Sequence, residues 1–332
     1  MIIDQNQILP IVFHPHYVTA LPPGHRFPME KFGLIKDKLI EDKVILKTEV
    51  STPQPATLSQ LSLAHEDQYI EKVIHCRLDK SAERRLGFPC TPEIVRRSRA
   101  AVGGTILTSK LALQYGIACN TAGGSHHSHP GHAAGFCVFN DVAVAIKTLQ
   151  YDKKIKQALV VDLDVHQGDG TACFFRDDPS VFTFSIHCED NYPIKKQVSD
   201  LDIGLPKGVT DEDYIKCLAT NLPIIIHKSK PDIVFFNAGV DVHKNDKLGN
   251  FSLSNEGIQI RDWMTIKICL DNRIPIACVI GGGYETDINQ LIYRHTIVYR
   301  SAQTALKELI DKNKNNTSIL QSAMLKYQEI KI

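Results

Sequence analysis

No two of the nine cysteines in this chain stand at a CxxC spacing, and their scatter follows no framework pattern. That excludes a disulfide scaffold and a cysteine zinc site, and it is what a reduced, cytosolic protein is expected to show. Net charge is equally lacking: 38 Lys and Arg against 37 Asp and Glu leave +1, so no global field draws the chain to nucleic acid or to an anionic membrane. No apolar run approaches the ~20 residues of a membrane span. The opening Met1-Ile2-Ile3-Asp4-Gln5-Asn6 lacks the basic region, apolar core and cleavage site of an export signal. There is no G-x-x-x-x-G-K-[ST] phosphate loop, no dinucleotide-binding glycine spacing, no internal repeat and no low-complexity tract. What remains is a globular composition, 43% hydrophobic and 23% charged over 332 residues, enough to bury one large core.

Hydrophobic periodicity organises the second half of the chain. Apolar runs at 158–161, 181–186, 233–236 and 276–280 are short, end in polar or glycine residues, and are separated by segments long enough for crossover helices. That pattern marks a parallel sheet covered on both faces. In the first half, 10–14 reads as a short strand. Residues 29–41 and 91–113 carry apolar groups at helical spacing, the second stretch opened by Thr91-Pro92-Glu93 as cap, first-turn proline and acidic first turn. The three prolines between Leu21 and Pro28 fix a loop whose shape suits the rim of a site as well as a plain connection. Residues 311–316 are polar and are expected to be a surface linker before a short last helix. The expected fold class is α/β, one domain over 1–332 with its core at about 10–305 and a tail at 311–332.

The ends of the apolar runs carry the chemistry. The 158–161 run passes into Asp162-Leu163-Asp164-Val165-His166-Gln167-Gly168-Asp169-Gly170. Ligands bind beyond the carboxyl ends of the strands in open α/β sheets, so these side chains are expected to face a crevice. Asp164 and His166 lie two apart on extended chain, hence on one side of it, with Asp162 at the same parity. Carboxylate and imidazole suit a divalent metal, although a lone Asp-x-His at a strand end is as readily a helix cap or an Asx-turn. Asp241, after Asn237-Ala238-Gly239, offers a second carboxylate, and with it a site of one His and two Asp with open positions for water and substrate. Tyr284 follows Gly281-Gly282-Gly283, a turn tight enough to present a phenol into a pocket. Between Gly123 and Cys137, four histidines stand within seven positions among glycines and a proline. This is a loop, on which adjacent side chains diverge. His126 and His127 therefore read as two imidazoles at different depths of one pocket, each able to titrate near neutrality, while His129 and His132 read as solvated.

Taken in order, these segments resemble the histone deacetylase family of the arginase/deacetylase superfamily, most closely its class IV and related bacterial branch. The resemblance rests on Gly123-Gly124-Ser125-His126-His127, on 135–141 (GFCVFND), on 162–170, on Ser185-Ile186-His187, on Ala238-Gly239-Val240-Asp241 and on Gly281-Gly282-Gly283-Tyr284, and so covers nearly the whole chain. It implies the arginase/deacetylase fold, a single α/β domain around a mainly parallel, eight-stranded sheet. By the same resemblance Asp164, His166 and Asp241 bind one catalytic zinc, Asp162 orients His126, and Asp169 orients His127. Asp162 and the backbone oxygens of Asp164, His166, Ser185 and Ile186 would surround a structural potassium. Gly135 and Phe136 would form one wall of an acyl-lysine channel, with Tyr192 the candidate for the other.

The implied activity is zinc-dependent hydrolysis of acyl groups, acetyl or longer, from lysine side chains of proteins or peptides. In the family's scheme His127 takes the proton from the attacking water and passes it on, His126 acts electrostatically, and Tyr284 holds the oxyanion. A second reading is deacetylation of polyamines or other small acylated amines. A third is a silent protein that binds acylated lysine, which the retention of the full residue set argues against. The two-manganese arginase branch needs further Asp and His ligands that these strand ends do not offer. One departure stands out. Where many family members carry a rim Asp that clamps the substrate backbone, this chain has Gly87-Phe88-Pro89-Cys90, with Pro89 at that place.

Overall fold

The computed structural model describes residues 8–329, with side chains through residue 312. The opening hexapeptide read above for an export signal, and the last residues of the tail, lie outside the described residues. In chain order the strands are β1 (Ile11–Val12), β2 (Val50–Ser51), β3 (Ile117–Asn120), β4 (Ala158–Asp162), β5 (Val181–Cys188), β6 (Leu201–Leu205), β7 (Ile233–Asn237) and β8 (Ile276–Val279). The helices are α1 (Lys31–Glu41), α2 (Leu58–Leu61), α3 (Asp67–Ile74), α4 (Lys80–Leu86), α5 (Pro92–Tyr115), α6 (Asp141–Tyr151), α7 (Asp169–Phe175), α8 (Asp211–Ser229), α9 (Asn255–Asp271) and α10 (Ile288–Glu329).

The strands form one eight-stranded sheet in the order β2-β1-β3-β8-β7-β4-β5-β6, and every pairing is parallel. This is the α/β sheet the alternation of apolar runs called for. Its centre is built by β4, β7 and β8, whose residues are buried along their whole length. Strands covered on both faces need apolar side chains on both, and Val160, Val161, Val234, Phe235 and Phe236 supply them. Each such side chain contributes roughly 1.5–3 kcal/mol by leaving water.

Local signals set the helices. Thr91 caps α5 by accepting from the Ile94 N–H, with Pro92 in the first turn, and Gly116 closes it in the left-handed conformation at φ 85°. Asn140 caps α6 through the Ala143 N–H at 2.9 Å. The long helix α10 differs from expectation: it runs without a break through 311–316, where a linker was read. Residues 311–316 hold only polar side chains but no proline or glycine, so nothing in them stops a helix already under way. No helix among the described residues is long and apolar enough to cross a membrane.

Because all strands are parallel, their carboxyl ends share one edge. β3 and β4 follow each other in the chain but are separated in the sheet by β8 and β7. At such a switch the loops leave in opposite directions and open a crevice.

Candidate metal centre and active-site channel

Five adjacent strands, β3-β8-β7-β4-β5, deliver side chains to that crevice. Beyond β4 the chain turns sharply and places Asp164 and His166 in the interior, both buried, before α7 begins at Asp169. The loop after β7 brings Asp241, fully buried, alongside. Ligand atoms of Asp164, His166 and Asp241 all lie within 4.8 Å of one another. His166 Nδ1 is 3.0 Å from Asp164 Oδ1 and 3.1 Å from Asp241 Oδ2. Backbone groups fix the carboxylates: Gly282 N–H donates to Asp164 Oδ2 at 2.7 Å, and Val165 N–H to Asp241 Oδ1 at 2.9 Å. Gly282 has to be glycine, since a Cβ there would stand 2.1 Å from Asp241 Oδ2. Underneath, the buried Arg261 guanidinium donates to Leu163 O at 3.1 Å and to Gly239 O at 2.7 Å, tying the β4 and β7 loops together.

One atom of this cluster is left over. Asp241 Oδ2 is buried without a partner in hydrogen-bonding geometry. A buried carboxylate oxygen lacking a donor is costly unless a cation takes it. Burial, and then the neighbouring Asp164, push the Asp241 carboxyl up to about 7. Burial opposes charge on His166, yet the Asp164 and Asp241 carboxylates hold its pKa up at about 10. A dication is what this arrangement would accommodate. Two carboxylates and one imidazole fit zinc, accept Fe(II), and leave positions open for water and substrate.

Two imidazoles from the loop after β3 stand beside the cluster. His126 Nδ1 faces Asp162 Oδ2 at 2.7 Å, and His127 Nδ1 faces Asp169 Oδ1 at 2.6 Å. Their rings lie 4.1 Å apart, centroid to centroid. Burial works against a charge on His126, but Asp162 and Asp164 hold its pKa up at about 9. For His127, burial and the neighbouring His126 bring it down to about 4. The loop that carries them hangs on Asp141, whose carboxylate accepts from Gly124 N–H and Ser125 N–H at 3.1 and 2.7 Å.

The reading of His129 and His132 as solvated was wrong. His129 is buried, with Nε2 3.0 Å from Asp169 Oδ2, and the His132 ring stacks on it at 4.4 Å. Asp169 thus serves two imidazoles; against the effect of burial, they hold its carboxyl below the usual range. A contact across some forty residues of sequence left no trace in the loop's composition.

The cluster opens into a cavity of about 410 Å³. His127 and His166 reach it from the floor, Gly135, Phe136 and Tyr192 line its sides, and Tyr284 closes it from the β8 loop. Tyr192 packs edge-on to His127 at 4.8 Å. Gly135 adopts φ 52°, and a Cβ there would meet His127 Cδ2 at 2.6 Å, so the wall depends on glycine. Phe136 is anchored by its N–H to Leu86 O at 2.7 Å, and its ring rests on Phe27 and Phe88. Tyr284 is set by its backbone N–H, which donates to Asp246 Oδ2 at 2.7 Å. Burial, and then Asp164 and Asp241, keep its phenol well above the usual range, hence protonated. For the expected potassium the structure supplies a neighbourhood: Ser185 of β5 pairs in register with Asp162. The Asp162 carboxylate already faces His126 and accepts from Asn237 Nδ2 and the Asp164 N–H.

Several residues here escaped the sequence. Asn237 stood at a strand end with no assigned role, and neither Asp246 nor Leu248, which lines the cavity, belonged to a motif. Lys31 was one charged position in the 29–41 helical pattern, with no role of its own. It is instead fully buried, its Nζ donating to Gly281 O and Gly283 O at 3.4 and 3.3 Å, and burial brings its pKa down to about 8.

Comparison with known proteins agrees with this architecture. The family model described as the histone deacetylase domain matches residues 25–299, which takes in every strand-end loop above. The chain is 49% identical over 294 residues to an uncharacterized protein of Picosynechococcus sp., covering 89% of this chain and 98% of that one. It is 30% identical over 286 residues to histone deacetylase clr6 of Schizosaccharomyces pombe, with 79% and 69% covered. Among solved structures, an HDAC homolog from Aquifex aeolicus superposes with a TM-score of 0.76 at 24% identity, covering 92% of this chain and 89% of that one, a likeness of fold. A family model spanning so much of the chain, with its motifs converging on one crevice, places this protein in the histone deacetylase family.

Proposed function

We propose that this protein hydrolyses acyl groups, acetyl or longer, from lysine side chains of proteins or peptides, with one zinc held by Asp164, His166 and Asp241. The observation that carries the reading is a buried His-and-two-Asp cluster beside two Asp-His pairs, with His166, His127 and the protonated Tyr284 phenol reaching one cavity. Zinc bound there would supply a Lewis acid for the amide carbonyl and a low pKa for a water. The chain's own residues would do the rest. Phe136 and Tyr192 flank an extended acyl-lysine and exclude water from it. His127 reaches the cavity and is neutral, which suits a group that takes a proton and later returns it to the leaving amine. His126 does not line the cavity and is held as a cation by Asp162, which suits an electrostatic role. The Tyr284 hydroxyl donates to the oxyanion.

We read residues 1–332 as one catalytic domain, and the potassium near Asp162 and the backbone of Asp164, His166, Ser185 and Ile186 as structural. All nine cysteines are free, which supports a cytoplasmic location. The test is a panel of acyl-lysine peptides of increasing chain length together with acetylpolyamines, assayed with and without a chelator. Chelator-sensitive release of acyl groups from the peptides is expected. Equal or faster turnover of acetylpolyamines would instead select the small-amine reading, and strict preference for acetyl would remove the longer chains.

A further inference from the structure

The mouth of the channel carries a charge that amide hydrolysis does not require. Arg26, Arg84 and Arg85 line the cavity and are exposed, and none of its lining residues is a carboxylate. They come from two separate stretches, the loop before α1 and the last turn of α4. Arg26 Cζ stands 5.0 Å from the Phe136 ring centroid, and Arg85 Nε donates to Ala133 O at 3.1 Å. Neither contact neutralises a guanidinium. Glu83, the carboxylate of α4, is already engaged by Lys80 and by the Cys90 N–H, each at 2.9 Å, and Asp79, which caps α4 and feels Arg85 through its charge, accepts from the Ala82 N–H at 2.8 Å. Two arginines at the end of a helix also complement its dipole, and by themselves would carry no more meaning than that. The third arrives from elsewhere in the chain and converges on the same opening, and Pro89 leaves the adjoining rim segment without an acid.

We propose that this basic rim selects substrates bearing a carboxylate beside the acylated amine. The inference rests on the deacylase reading above. The acyl group must reach the buried floor near His127 and His166, so an anion paired with the exposed arginines sits on the amine side of the bond and not at the acyl tip. A guanidinium presents a planar pair of donors that matches a carboxylate, and three cations at the mouth repel a polyamine. The carboxylate has two sources: an acidic residue flanking the acylated lysine in a peptide, or the free α-carboxylate of a small acylated amino acid.

The experiment compares kcat/KM for acetyl-lysine peptides flanked by Asp, Asn or Lys, and for Nε-acetyl-lysine with its carboxyl free or amidated, at low and high salt. The order Asp, Asn, Lys is expected, with an Asp-to-Lys ratio of about tenfold or more at low salt that collapses as salt screens the rim. Arg84→Gln, Arg26→Gln and Arg85→Gln should each narrow that ratio. Preference for the free over the amidated carboxyl, without a flanking effect in peptides, assigns the small substrate and still supports the proposal. A peptide ratio near one at low salt together with no preference for the free over the amidated carboxyl, or preferences that the three variants leave unchanged, overturns it. Binding of labelled Asp-flanked and Lys-flanked peptides, followed by fluorescence anisotropy, separates the two readings. If nothing is hydrolysed the deacylase reading fails, while equal binding of the two peptides, and of Nε-acetyl-lysine with its carboxyl free or amidated, rejects the rim on its own.

Discussion

Replacing Tyr284 by Phe removes one hydroxyl from the channel and little else. The turn that presents the residue is held without it, by the Tyr284 N–H to Asp246 Oδ2 at 2.7 Å and by Lys31 Nζ beneath, which donates to Gly281 O and Gly283 O. The ring packs near Phe27 at 6.1 Å and Phe136 at 5.9 Å, contacts a phenylalanine keeps. Stability should therefore change by less than about 1 kcal/mol, and metal content should not change. The catalytic cost is of another order. In the proposed scheme the hydroxyl donates to the oxygen on which charge develops, and deleting one such donor costs about 10²–10³ in kcat, roughly 2.7–4 kcal/mol of transition-state stabilisation. The assay is steady-state deacetylation of an acetyl-lysine peptide, with metal analysis and a thermal melt on the same preparation. An unchanged kcat would refute the role given to Tyr284. A variant that unfolds or loses its metal would show that the residue is structural.

Three other outcomes are expected. Gly282→Ala forces a methyl to within 2.1 Å of Asp241 Oδ2 and 2.8 Å of Asp164 Oδ2, so it should lose bound metal and about 1–3 kcal/mol of stability, measured by metal analysis and urea unfolding. His65 accepts the Asn140 N–H at Nε2, and its Nδ1 faces His129 O and Pro130 O. Burial brings its pKa down to about 4. The unfolded chain therefore takes up this proton first, and stability should fall as pH drops from about 6.5 towards 4, by roughly 3 kcal/mol for this one group. Urea titrations across that range should show a shallower slope in His65→Gln. Potassium in place of sodium should raise the melting temperature if Asp162 and the β4 and β5 backbone hold the ion, and equal melts in the two salts would argue against that site.

Much of the sheet was legible because its central strands are continuous apolar runs with abrupt polar ends. Asp164 and His166 stood out by parity at such an end, and the parallel sheet then brings Asp241 to them. What stayed hidden lacks a local signal. β2 has two residues, and β6, Leu201–Leu205, is a half-buried edge strand that alternates Leu, Ile and Leu with Asp and Gly over only five positions. Lys31 and His129 owe their burial to segments far away in the chain, as the three arginines owe their convergence, so no local pattern showed either. The continuity of α10 was missed for a different reason, because polarity was taken for a linker where no residue breaks a helix.

The central claim is that Asp164, His166 and Asp241 hold one metal on which hydrolysis depends. Its most direct test is to strip the purified protein with a chelator and titrate zinc back while following release of acetate from an acetyl-lysine peptide, alongside Asp241→Asn. Activity should vanish on stripping and return to a plateau at one zinc per chain. The variant should neither retain the ion nor recover. Full activity in metal-free protein, or an Asp241→Asn variant that works as well as the parent, would contradict the account.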